Sequence, residues 1–207
     1  MIDFIVKESG EFMTAQTGDK FVFRGEDYSI VAISSPINFY PQNYGIKPRA
    51  FCTGCWKGYW CEYYISDKDI KLENLYINSQ NGNYPEIRGI KPEKDGEKDF
   101  LYMGYHLYKN LGMPVDYTGK IIVGKGFINK YYIHMGYQRA WAYEVLKELI
   151  FANGIFVESI DHSEMARKLR SELDEKAEEN EKERCDIPLF VSKSFSLEMK
   201  DKAWWIK

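Results

Sequence analysis

The stretch Glu144-Val-Leu-Lys-Glu-Leu-Ile-Phe-Ala-Asn-Gly-Ile-Phe-Val-Glu158 decides the fold. Trp141, Val145, Leu146, Leu149 and Ile150 fit helical spacing, whereas Trp141, Tyr143, Val145, Leu149 and Phe151 fit strand alternation equally well. The step Asn153-Gly154 separates the two readings. Both central positions of a tight hairpin turn need positive φ, which Asn and Gly tolerate, and here they lie between the apolar runs Leu149-Ile150-Phe151 and Ile155-Phe156-Val157. Strands are therefore expected over 144–151 and 155–158.

Working outward, Ile121-Ile122-Val123 is a further strand, and Tyr131-Tyr132-Ile133-His134-Met135 is expected to be another. Upstream, Phe21–Arg24 and Tyr28–Ile33 are split by the Gly25-Glu26-Asp27 turn and form a hairpin. The end of 51–65 alternates like a strand, and Asp67-Lys68-Asp69 turns it into Ile70-Lys71-Leu72 and Leu75-Tyr76-Ile77. Ile2–Val6 is read as a short strand. Residues 34–50, with Pro36, Pro41, Gly45 and Pro48, form a long irregular connection of the kind that often carries function. Residues 78–99 are loop, and 100–111 fit a short helix or a strand.

Downstream, 161–184 is a helix, with Asp161 and Glu164 at capping-box spacing. Met165, Leu169, Leu173 and Ala177 make its narrow apolar stripe. Residues 189–207 alternate loosely and end in Trp204-Trp205-Ile206, a strand or docked tail. The expected fold class is α+β. It is predominantly antiparallel β, a sandwich or half-barrel of hairpins, with one long charged C-terminal helix and a short C-terminal strand or tail. The β-rich domain spans 1–160, and the helix and tail, 161–207, pack on it or on a partner.

Composition narrows the function. Among 207 residues, 28 Lys and Arg face 31 Asp and Glu, a net charge of −3. There is no basic stripe of the kind phosphate backbones select, so no nucleic acid is expected. No apolar run approaches the roughly 20 residues needed to span a bilayer, and Met1–Glu8 lacks the basic and apolar regions of a signal peptide. A cytoplasmic protein with no membrane contact is expected. Aromatics reach 16%, and all 16 tyrosines lie between Tyr28 and Tyr143. Such residues favour pleated surfaces and supply flat contact area at low entropic cost.

Three constellations could carry chemistry. Cys52-x-x-Cys55 with Cys61 could chelate zinc, with His106 or His134 as the fourth ligand, or perform thiol chemistry with Cys52 as nucleophile. The competing reading is that these are small core residues, packed among Trp56, Tyr59 and Trp60. The loop His134–Trp141 gathers imidazole, carboxamide and guanidinium groups. His134 could act as a general base oriented by Asp116 or Glu144, and Arg139 could clamp an anion. The competing reading is a satisfied strand histidine and a surface ion pair. Gly119-x-x-x-x-Gly124-Lys125-Gly126 nearly has phosphate-loop spacing, but it lacks the hydroxyl for magnesium and has a strand where the cradle should be.

No other catalytic signature is present. The first expectation is therefore a non-catalytic binding protein without cofactor. It would take a protein partner or a small polar ligand through Trp56, Tyr59, Trp60, Tyr137, Arg139 and Trp141, with a homodimer through 163–184 a further option. The alternative is a metal- or thiol-dependent enzyme, or a zinc-stabilised domain, using Cys52, Cys55 and Cys61 or the His134–Arg139 loop. A third reading has the aromatic loop at 36–60 stacking a sugar or base.

Overall fold

Two-residue turns with both residues at positive φ join the main hairpins, as the right-handed twist of paired strands demands. They are Arg24-Gly25 (φ 54° and 77°), Asp67-Lys68 (51° and 79°) and Asn153-Gly154 (51° and 77°). They connect β1 (Lys20–Phe23) to β2 (Glu26–Ile33), β3 (Tyr59–Ser66) to β4 (Asp69–Ile77), and β9 (Tyr143–Ala152) to β10 (Ile155–Asp161). The computed structural model describes residues 14–50, 52–94 and 105–179. The strand read at Ile2–Val6, the first part of 100–111, the helix beyond 179 and the tail to Trp204-Trp205-Ile206 lie outside the described residues.

Shorter strands complete the sheet: β5 (Glu93–Lys94), β6 (His106–Tyr108), β7 (Met113–Pro114) and the longer β8 (Gly119–Phe127). The order is β10-β9-β8-β2-β1-β3-β4-β6-β5, with β7 also on β4. Pairing is antiparallel except between β1 and β3, where Lys20–Val22 run parallel to Glu62–Tyr64. The sheet curls until β10 meets β4 at Ile155 and Asp69. There Ile70 N donates to Gly154 O (2.9 Å) and Phe156 N to Lys68 O (2.7 Å). A ring of seven strands is thus closed at one seam, which removes most free edges.

Inward-facing residues of every strand in the ring form the main core. Phe21, Phe23, Tyr28, Ile30, Cys61, Tyr63, Ile70, Leu72, Ile121, Val123, Leu149 and Phe151 are all buried there. The alternation expected of pleated strands is what fills it. The fold is α+β and mostly antiparallel, with a single helix near the C-terminus among the described residues.

That helix, α1 (Ser163–Glu179), lies outside the ring on a second cluster of Val31, Ala32, Ile122, Ala140, Ala142, Tyr143, Leu146 and Ala166. Its buried face is Ala166 and Arg170, with Leu169 and Leu173 half-buried, whereas Met165 is exposed. The docking stripe is therefore displaced by one residue from the apolar spacing at Met165. Arg170 enters the face because its guanidinium finds two carbonyls, which an apolar count does not register. The side chain of Ala177 lies outside the description. The capping box is also not formed as spaced. Asp161 Oδ1 accepts from Ser163 N (2.9 Å), while Glu164 turns outward to Arg167 (2.7 and 2.9 Å).

A second correction concerns Tyr131–Met135, which is no strand. A 3-10 turn spans Asn129–Tyr131, and Gln138 satisfies the Ile133 backbone through its side chain, accepting from N (3.0 Å) and donating to O (2.8 Å). The apolar rings here pack sideways: Tyr131 meets Trp141 edge-on at 5.1 Å. Residues 106–108, by contrast, are strand.

Candidate functional site

The six residues expected to bind a ligand are divided among different surroundings. Trp60 belongs to a small outer cluster, stacked on Tyr76 at 4.4 Å and edge-on to Tyr105 at 4.5 Å. Trp141 supports α1. Tyr59 and Tyr137 do come together, around Lys57. The Lys57 ammonium lies 4.8 Å from the centre of the Tyr59 ring and 2.7 Å from Asp19 Oδ1. Burial pushes Tyr59 up to about 12 and also raises Tyr137. Trp56 is exposed beside them, its backbone N donating to Gln16 Oε1 (3.1 Å). This knot is a set of satisfied polar contacts bracing the loops at one end of the ring.

Among the described residues no group of three or more His, Cys, Asp or Glu is arranged to hold a metal. Alternation on β3 sends Cys61 into the ring and Trp60 outward. Cys55 joins Trp60 in the outer cluster, and Cys52 is exposed. His106 stacks on Tyr84 at 3.5 Å, and His134 lies edge-on to Tyr132 at 5.0 Å. In the 134–141 loop, Gly136 at φ 75° lets the backbone turn back, and its carbonyl accepts from Gln16 N (2.8 Å). His134 makes no hydrogen bond to Asp116 or Glu144 among the described residues. The loop does not assemble the base and acid that the sequence suggested.

A cleft elsewhere gathers several polar side chains. The 34–50 connection forms one wall, with a 3-10 turn over Pro41–Tyr44 that has Pro at its first position, where the fixed φ is favourable. Arg88 and Met113–Asp116 form the other wall. The cleft encloses about 220 Å³ and is lined by Asn38, Phe39, Tyr40, Asn43, Tyr44, Arg88, Met113, Pro114, Val115 and Asp116. Its floor is tied down: Phe39 is buried, and Tyr44 Oη reaches Met113 Sδ at 3.2 Å.

Its rim is not. The side chains of Asn38, Tyr40, Asn43, Arg88 and Asp116 have no hydrogen-bond or ion-pair partner among the described residues. Tyr40 is half exposed. Arg88 holds φ 54° at the tip of a two-residue turn closed by Ile87 and Ile90. A side chain with a Cβ is strained there, by about 1 kcal/mol or more.

Sequence reasoning placed an aromatic ligand loop at 36–60, which includes the Tyr40 wall of this cleft. It missed Arg88, Asn38 and Asn43, and it gave Asp116 a different role. The available signal was Arg88-Gly89 between two isoleucines, a turn dipeptide with a cation at the strained position. No family model, curated protein or solved structure matches the chain.

Proposed function

We propose that this is a non-catalytic binding protein whose site is the cleft between Tyr40 and Arg88. It takes a small polar ligand, zwitterionic or polyhydroxylated and about the size of an amino acid or a monosaccharide. The observation that carries this reading is the set of five rim side chains without hydrogen-bond or ion-pair partners among the described residues, around one concavity. A guanidinium offers a planar fork of donors to a carboxylate or to paired oxygens. Asp116 accepts from an ammonium or hydroxyl, Asn38 and Asn43 do both, and Tyr40 offers a flat face. Pockets with a few convergent polar groups over an apolar floor are the usual form of small-molecule sites. Nothing in the cleft pairs a nucleophile with a base.

Arg88→Gly tests the reading with folding controlled, since glycine is at ease at φ 54°. Amide chemical-shift mapping with a panel of amino acids and monosaccharides should move the signals of Asn38–Tyr44, Arg88 and Met113–Asp116. Arg88→Gly should abolish the response while melting at or above the wild-type temperature. Undiminished binding in that variant, or shifts elsewhere on the surface, would overturn the proposal.

A protein partner is the second reading, favoured by one observation. Ile155, Val157 and Ile160 on β10 and Met165 on α1 are large apolar side chains left 39–57% exposed.

A further inference from the structure

We propose that Cys52 and Cys55 form a reversible dithiol–disulfide pair, with exposed Cys52 as the attacking thiol and buried Cys55 as the resolving one. The two residues are the first and fourth of a turn: Cys55 N donates to Cys52 O at 3.1 Å. A hydrogen-bonded turn holds its end Cα atoms within about 7 Å, and disulfides form at Cα separations of about 4.4–6.8 Å. Cys52 Sγ folds back over the turn, 3.8 Å from where a Cβ on Gly54 would stand. The Cys55 thiol donates to Tyr59 O at 3.6 Å, and Tyr105 packs with it in the outer cluster.

Accessibility divides the roles. Cys52 is open to solvent, whereas Cys55 is 2% exposed beneath Trp60 and Tyr105. A buried thiol reacts with a sulfur already delivered to it sooner than with a reagent from bulk water. Cys61 faces the opposite side of β3, into the ring, and so is no competitor.

The oxidant is a low-molecular-weight disulfide. Deprotonated Cys52 attacks one of its sulfurs. A mixed disulfide forms, the reagent's sulfur–sulfur bond breaks, and one thiolate leaves with the electron pair. Cys55 then gives up its proton and attacks the Cys52 sulfur. The intramolecular bond forms, and the second thiolate leaves and is protonated. Two protein thiols are oxidised and one disulfide is reduced to two thiols.

The test equilibrates the full chain in glutathione redox buffers, blocks free thiols and digests with trypsin. Cleavage after Arg49 and Lys57 releases Ala50–Lys57, which contains Cys52 and Cys55 and no other cysteine. That peptide should appear unblocked and lighter by two hydrogens, in a proportion that follows the glutathione ratio and reverses with reductant. Before oxidation, Cys52 should alkylate at least about tenfold faster than Cys55. Cys55→Ser and Cys55→Ala should each trap glutathione on Cys52, and Cys52→Ser should trap none. A peptide that stays fully blockable at every glutathione ratio, or a bridge from Cys52 to any cysteine other than Cys55, would overturn the proposal.

Discussion

Lys57 Nζ donates to Asp19 Oδ1 at 2.7 Å, and the same oxygen accepts the backbone N–H of Cys61 at 2.9 Å. One carboxylate thus ties the loop before β3 to the strand itself. Burial works against the Lys57 charge, but the neighbouring Asp19 carboxylate outweighs it and holds the ammonium above its ordinary range. For a raised lysine, the stabilisation is fully present below its unfolded value, about pH 10.4, and is lost only as pH rises through the higher folded value.

Asp19→Ala should therefore cost about 2 kcal/mol, because it orphans a half-buried cation and an amide together. Lys57→Met should cost less, and the double variant should be more stable than Asp19→Ala alone. Urea unfolding of the three variants measures this. A cost for Asp19→Ala no larger than that of a surface change would show that the pair is not structural.

A second prediction concerns acid. At Asp161, burial raises the carboxyl, but hydrogen bonds from Lys147 and from the Ser163 side chain and backbone prevail and lower it to about 2. A depressed carboxylate stabilises the fold above its unfolded value and loses that contribution as pH falls through the folded one, here between about pH 4 and 2. The side chain is more than half exposed, so solvent screening keeps the gain near the low end of cap and surface-pair energies, about 0.5–1 kcal/mol. Asp161→Asn should be less stable than wild type at neutral pH and equal to it near pH 2. Unfolding midpoints across that range test it, and parallel curves would exclude this linkage.

How much of this was legible in the sequence depends on whether the cause is local. Asn153-Gly154 and the alternation on each side of it are local, and they placed β9 and β10 to within a few residues. The run Tyr131–Met135 is rich in β-prone residues too, yet it pairs with no strand among the described residues. Tyr131 packs on Trp141, Tyr132 packs on Phe127, and Gln138 satisfies the Ile133 backbone, contacts set by tertiary structure. The cleft was half legible, since the proline-punctuated aromatic loop marked one wall. The other wall needs the topology that brings Arg88 beside Met113–Asp116, and pairing across such distances leaves no periodic trace. Arg170 was invisible for a further reason: a buried arginine looks like any charged residue on a charged helix until its carbonyl partners are placed.

Turn strain gives a prediction of opposite sign. Lys68 is the second central residue of the β3–β4 hairpin, at φ 79°, a position glycine fills without steric cost. Lys68→Gly should stabilise the protein by about 0.5–1 kcal/mol, the relief of Cβ strain less glycine's larger unfolded entropy. Gly58→Ala should do the reverse. Its φ is 75°, and an added Cβ would stand 2.6 Å from the Arg49 carbonyl, which is backbone and cannot swing away. A loss of several kcal/mol is expected, near the upper end for single substitutions, roughly 4 kcal/mol. Thermal melts of the two variants should move in opposite directions, and a shared direction would contradict the strain argument.

The last prediction concerns how α1 is held. Arg170 Nη1 donates to the carbonyls of Trp141 (2.7 Å) and Tyr143 (2.8 Å). Those carbonyls mark the join between a 3-10 turn and β9. The first turn of the helix is laced to the same strand: Leu146 N donates to Ser163 Oγ (3.0 Å), and His162 N donates to Leu146 O (2.8 Å). Further along, Asp174 accepts from Tyr131 Oη and from Lys130, each at 2.8 Å. A helix fixed along its length in this way is part of the body. Removing residues 161–207 should therefore destabilise the ring by uncovering Val31, Ile122 and Leu146. Arg170→Met keeps much of the apolar stem but orphans two carbonyls, so it should cost about 2–3 kcal/mol. Arg170→Lys should recover part of that loss, since one ammonium lacks the planar fork but can still donate. Hydrogen exchange tests this. The amides of 166–175 should be less protected than those of β3 and β4 in the wild type, and Arg170→Met should speed exchange at both by a comparable factor. Unchanged exchange at 166–175 would show that the arginine does not hold the helix.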